Sequence, residues 1–80
     1  MSKFKIYTTV QDEPVYADSI RREGVKVYAT CTLMSNCVGM DYVLLGVAES
    51  FSVLAGGGCI LLIRADIIRG LDFVEDDSNE

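Results

Sequence analysis

Cys59-Ile60-Leu61-Leu62-Ile63 is the stretch on which the fold turns: five apolar residues in a row, preceded by Gly56-Gly57-Gly58 and followed by Arg64. Tyr42-Val43-Leu44-Leu45-Gly46-Val47 is a second, nearly continuous apolar run. Read as strands, both runs are apolar on the two faces, and such strands are covered on both sides in folded proteins. A chain of 80 residues has little mass with which to cover them. Neighbouring subunits are the natural cover.

Outward from these runs, period two dominates. Val25 to Met34 alternates, with Val25, Val27, Ala29, Cys31 and Leu33 on one face and Lys26, Tyr28, Thr30, Thr32 and Met34 on the other. Lys3 to Val10 alternates likewise, with Phe4, Ile6, Thr8 and Val10 on one side. Alternation rich in β-branched and aromatic residues predicts half-buried strands. Gln11-Asp12-Glu13-Pro14 breaks the first of them, and Ser35-Asn36-Cys37-Val38-Gly39 reads as a turn after the second. Val15 to Glu23 reads equally as a helical turn capped by Asp18 and closed by Gly24, or as an irregular loop. Phe51 to Leu54 forms a further strand segment, the triple glycine a mobile turn or a sharp bend, and Ile67 to Val74 a last strand. With no internal repeat and no linker, the expectation is one all-β domain over residues 1–74, of about five short strands with at most a short helical turn. Residues 75–80 follow as an acidic, flexible tail.

Composition narrows the functional classes. One domain this small buries roughly 60% of the surface its unfolded chain exposes, so it needs a staple, a metal or partner subunits. Three cysteines, Cys31, Cys37 and Cys59, without a CxxC pair, and no histidine make a poor zinc set and a poor disulfide framework. They read as small apolar residues in a reduced compartment, which implies a cytoplasmic protein. The N-terminus, Met-Ser-Lys-Phe-Lys, shows no secretory signal. From Tyr42 to Ile63 only Glu49 is charged, a length able to span a bilayer. Glu49, the three glycines and the lack of a basic flank oppose that reading, and no membrane partner is expected. Net charge is −5, but four of the twelve acids are Glu75, Asp76, Asp77 and Glu80; without them eight acids face seven bases, a net of −1. The body is therefore nearly neutral. Catalysis finds no support: no histidine can serve as base, no glycine-rich loop opens a helix, and no carboxylates are spaced as an acid–base pair. Cys37 lacks an evident base. The expectation is a non-catalytic module with no cofactor, no metal and no small-molecule substrate.

Ile60-Leu61-Leu62-Ile63-Arg64-Ala65-Asp66-Ile67-Ile68 resembles the second signature block of the Sm and Sm-like RNA-binding proteins, bacterial Hfq among them, with Ala65 where that family prefers glycine. Thr32-Leu33-Met34, followed after a loop by Asp41-Tyr42-Val43-Leu44-Leu45-Gly46-Val47-Ala48-Glu49, resembles the first block, with Asp41-Tyr42 in place of the usual Met-Asn. The likeness runs from about Val25 to Phe73 and extends to small, acid-tailed Sm-like chains of phage and environmental origin. The family's helix before the first strand has no counterpart here, and the stretch from Gln11 to Gly24 is longer than its first hairpin.

The resemblance implies a strongly bent, five-stranded Sm-like (SH3-like) barrel in a closed homo-oligomeric ring of roughly five to seven subunits, built by pairing exposed strand edges. Cys59, Ile60, Leu61, Leu62 and Ile63, with the third or the last strand, are its candidates for the subunit interface. It also implies binding of single-stranded RNA near the pore. Transferred by position, Tyr42 or Met40 would stack on a base, Asn36 and Asp41 would meet base edges, and Arg64 with Asp66 would take base or phosphate. The plainer alternatives are an Arg64–Asp66 ion pair with Tyr42 packed in a strand, and a ring that serves only as a structural or protein-interaction scaffold, possibly viral.

Overall fold

A computed structural model of the chain describes residues 3–74; the acidic segment 75–80 lies outside the described residues. The fold is β-rich, with seven strands and one α-helix: β1 (Phe4–Thr8), β2 (Val15–Ala17), β3 (Ser19–Glu23), β4 (Lys26–Cys31), α1 (Asn36–Leu44), β5 (Ser50–Val53), β6 (Cys59–Arg64) and β7 (Ile68–Phe73), with a 3₁₀ turn at Ala65–Ile67 between the last two. They form two antiparallel sheets, ordered β2-β1-β7 and β3-β4-β6-β5.

A single residue, Asp18, separates β2 from β3, so the two are halves of one bent strand. Its first half pairs with β1 and its second with β4. The Asp18 amide donates to the Thr30 carbonyl at 2.7 Å, and Lys3 donates to the Ala17 carbonyl at 2.9 Å, which carries hydrogen bonding across the bend. Laid in order, the molecule is one meander: β7, β1, the bent β2/β3, β4, β6, β5. Its terminal strands, β5 and β7, are each paired on one side alone among the described residues, so no closed barrel forms.

Alternation places the core. Val27, Ala29 and Cys31 of β4 and Cys59, Leu61 and Ile63 of β6 point inward and are buried, together with Ile6, Val15, Ala17, Val47 and Ala48. Each fully buried Leu or Ile contributes about 1.5–3 kcal/mol. Three of these eleven residues are alanines and two are cysteines, and none is aromatic, which leaves a small core. The opposite face of the four-stranded sheet carries Ser19, Thr30, Ile60 and Ser52 in one row and Arg21, Tyr28, Leu62 and Ser50 in the next.

Three expectations are corrected. Ser35–Gly39 and Tyr42–Val47 are neither turn nor strand; they are the helix α1 and its exit. Ser35 caps its start, its hydroxyl accepting from the Val38 amide at 3.3 Å. Gly46, at φ +85°, ends it: the Gly46 amide donates to the Val43 carbonyl at 3.1 Å and Val47 to Tyr42 at 2.9 Å, the two bonds of a Schellman motif. The helix lies close over the sheet because residue 39 is glycine; a Cβ there would stand 2.9 Å from the Phe51 ring. Second, Val15 to Glu23 is neither helix nor loop but the bent strand. Third, seven strands replace the expected five or so: Val15 to Glu23 supplies two and Tyr42 to Val47 none, while β5, at the expected Phe51–Leu54 segment, makes a hairpin with β6 through the glycine turn, where Leu54 donates to Gly58 at 3.0 Å and Gly57 to Leu54 at 3.1 Å.

The run Cys59–Ile63 lies inside the sheet, not at its rim. β6 pairs with β4 on one edge and β5 on the other, so its backbone has no edge left for another chain. Cys59, Leu61 and Ile63 are buried within the chain, and of the five only Ile60 and Leu62 turn half-buried side chains to the outer face. The last strand, β7, does present an open edge.

Candidate functional site

The six residues expected to hold RNA do not converge. Asn36 is the first residue of α1, exposed, with its Oδ1 3.8 Å from the Cys59 Sγ. Met40 and Asp41 lie further along the same helix and are exposed. Arg64 closes β6 at the end opposite Cys59, about 17 Å away at the rise of a strand. There the Arg64 guanidinium donates to Asp66 at 2.6 Å, and its Nε stands 3.9 Å from a Glu49 carboxylate oxygen. All three side chains are roughly half exposed, so the pairs contribute little stability, on the order of 0–1 kcal/mol. Their consequence is electrostatic: two carboxylates already face the one cation expected to take a phosphate.

Tyr42 is the exception. It is half-buried and lines a cleft of about 290 Å³ between α1 and the bent strand, shared with Tyr16, Asp18, Cys31, Leu33, Met34, Ser35 and Val38. Burial raises the Tyr42 phenol above its ordinary pKa. Burial likewise pushes the Cys31 thiol up to about 12, which removes it as a nucleophile. Asp18 moves the other way. Its carboxylate accepts from the Thr32 hydroxyl and, at 2.7 Å, from the Thr32 amide, and these bonds hold it below the usual carboxyl value. Lys5 lies 5.8 Å from the Tyr16 ring centre, at the limit of a cation–π contact.

Sequence reasoning missed Tyr16 and Asp18 because both fall in the stretch left open between helix and loop. The signal was the short alternation Val15-Tyr16-Ala17, apolar inward and tyrosine outward, which matches their burial. It also missed the exposed apolar residues at the ends of the meander. Leu44 and Leu45 at the exit of α1 are 76% and 60% exposed and Val53 on β5 is 58% exposed; at the other end Leu71 and Phe73 on β7 are 53% and 66% exposed.

No group of three or more metal-ligating side chains gathers among the described residues, and no described helix is long and apolar enough to cross a membrane. No family model, curated protein or solved structure matches this chain. What the chain does must be argued from its own surfaces.

Proposed function

We propose that this chain is a non-catalytic interaction module that assembles with copies of itself, the free edge of β5 on one copy pairing with the free edge of β7 on the next. The carrying observation is the pair of open edges at the two ends of one meander, each flanked by exposed apolar side chains. Isolated proteins blunt such edges with lysine, proline or bulges. β5, Ser-Phe-Ser-Val, has no charge and no proline. Because the two edges differ, the contact is heterologous, and ring closure is what pairs both of them in every copy. A ring of roughly five to seven copies is the assembly this reading favours. The small core supports it as well, since burial between copies would add the apolar area one domain lacks. Sedimentation of the full chain should give one mass of several copies; a single-copy mass that persists into the millimolar range overturns the reading.

Binding of single-stranded RNA is a second reading, favoured by the cleft that Tyr16 and Tyr42 share. Tyrosine faces stack on unpaired bases. On this reading the aromatic cleft, rather than Arg64, dominates. Labelled oligo-U or oligo-A should then bind weakly, with anisotropy lost in Tyr16→Ala or Tyr42→Ala and largely kept in Arg64→Ala. The absence of binding at low salt removes this reading and leaves the assembly untouched.

A further inference from the structure

A second cleft, of about 340 Å³, opens where the two sheets part, between β3/β4 on one side and β1/β7 on the other. Ile6 and Val27 are its buried floor, Ile68 and Leu71 form one wall, and Arg22 and Arg69 stand at its rim. Each arginine is anchored through Nε, Arg22 to the Gly24 carbonyl and Arg69 to the Thr8 carbonyl, both at 2.8 Å. Neither joins an ion pair among the described residues, whereas Arg21 pairs with Glu23, and Arg64 with Asp66 and Glu49. An apolar slot with two anchored, uncompensated guanidinium groups selects a ligand that is carboxylate-rich and continues from an apolar end.

The chain carries such a segment. Phe73-Val74 runs into Glu75-Asp76-Asp77-Ser78-Asn79-Glu80, four acids in six residues on a body of net charge −1. We infer that this cleft binds the acidic segment 75–80 of a second copy, which makes the segment a clasp between subunits. β7 leads away from Arg69 toward Val74, so the acidic segment begins at the end of β7 far from the Arg69 of its own copy. That direction, together with the self-assembly reading, assigns the acids to a neighbour. The inference extends the self-assembly reading by assigning the segment and the cleft to the contact.

The test uses the full chain with its own acids neutralised (Glu75→Gln, Asp76→Asn, Asp77→Asn, Glu80→Gln) and a fluorescent peptide with the sequence of residues 71–80 as probe. The peptide should bind, its affinity should fall with added salt, and the further double change Arg22→Gln/Arg69→Gln should weaken it by about tenfold. A peptide carrying the same four neutral substitutions should not bind, a control that leaves the protein unaltered. Lack of peptide binding overturns the inference, as does equal binding to the double variant or by a scrambled peptide of the same charge. The peptide is added in trans, so it reads the cleft whether or not the strand edges assemble. A ring that persists beside a peptide that fails to bind would discard the clasp and keep the edges.

Discussion

Asp18 shows how one side chain can hold a corner. It sits at the bend between β2 and β3, and its carboxylate ties Thr32, just past β4, to that bend through an amide and a hydroxyl donor. Both bonds favour the ionised form, so the folded pKa lies below the ordinary value of 3.8. A group depressed on folding stabilises the protein above its unfolded-state pKa and loses that contribution as pH falls through the folded value. Asp18→Asn should therefore cost about 1 kcal/mol at neutral pH, since the site is partly open to solvent. The gap from wild type should close as pH drops below about 4. Urea titrations at pH 7 and pH 3 measure both points; a gap of equal size at the two values would show that the carboxylate's charge does not matter.

At the scale of elements, legibility followed the periodicity. Lys3 to Val10 and Val25 to Met34 alternate, and β1 and β4 lie within them with Ile6, Thr8, Val27, Ala29 and Cys31 buried as the pattern requires. Tyr42 to Val47 misled because a continuous apolar run does not distinguish a buried strand from a helix resting on a sheet. The distinguishing marks were its punctuation, Ser35 before and Gly46 after, spaced for a cap at each end of three turns. The bent strand was harder to see, since a three-residue β2 joined to β3 at Asp18 has too few residues for any period to emerge. Of the candidate site, the sequence offered Tyr42 only by its position in the resemblance, as a stacking residue; that it lines a cleft is visible in the structure alone. Its partners Tyr16 and Asp18 were not legible, because tertiary pairing brings them there from a stretch without a pattern. The helix punctuation can be tested directly. Gly46→Ala should destabilise the fold by about 1 kcal/mol, because alanine has no comfortable place at φ +85°. Ser35→Ala should cost roughly 0.5–2 kcal/mol through the lost cap. Thermal unfolding followed by circular dichroism measures both; no change in either variant would mean that α1 is held by its packing against Phe51 and not by its caps.

For the whole molecule, two unlike open edges at the ends of one meander lead to a stricter consequence than a mass alone. Val53→Lys places a charge on the β5 edge and Leu71→Lys one on the β7 edge, both at exposed positions where the cost to the single copy is small, within about 0.5 kcal/mol. Each variant keeps the edge that the other has lost. The most direct measurement is the native mass of the two variants, alone and mixed in equal amounts. Each alone should be a single copy, and the mixture should form a two-copy species containing one of each, with no larger ring. Two-copy species of one variant by itself, or a mixture that stays single, would contradict β5-to-β7 pairing and the assembly built on it.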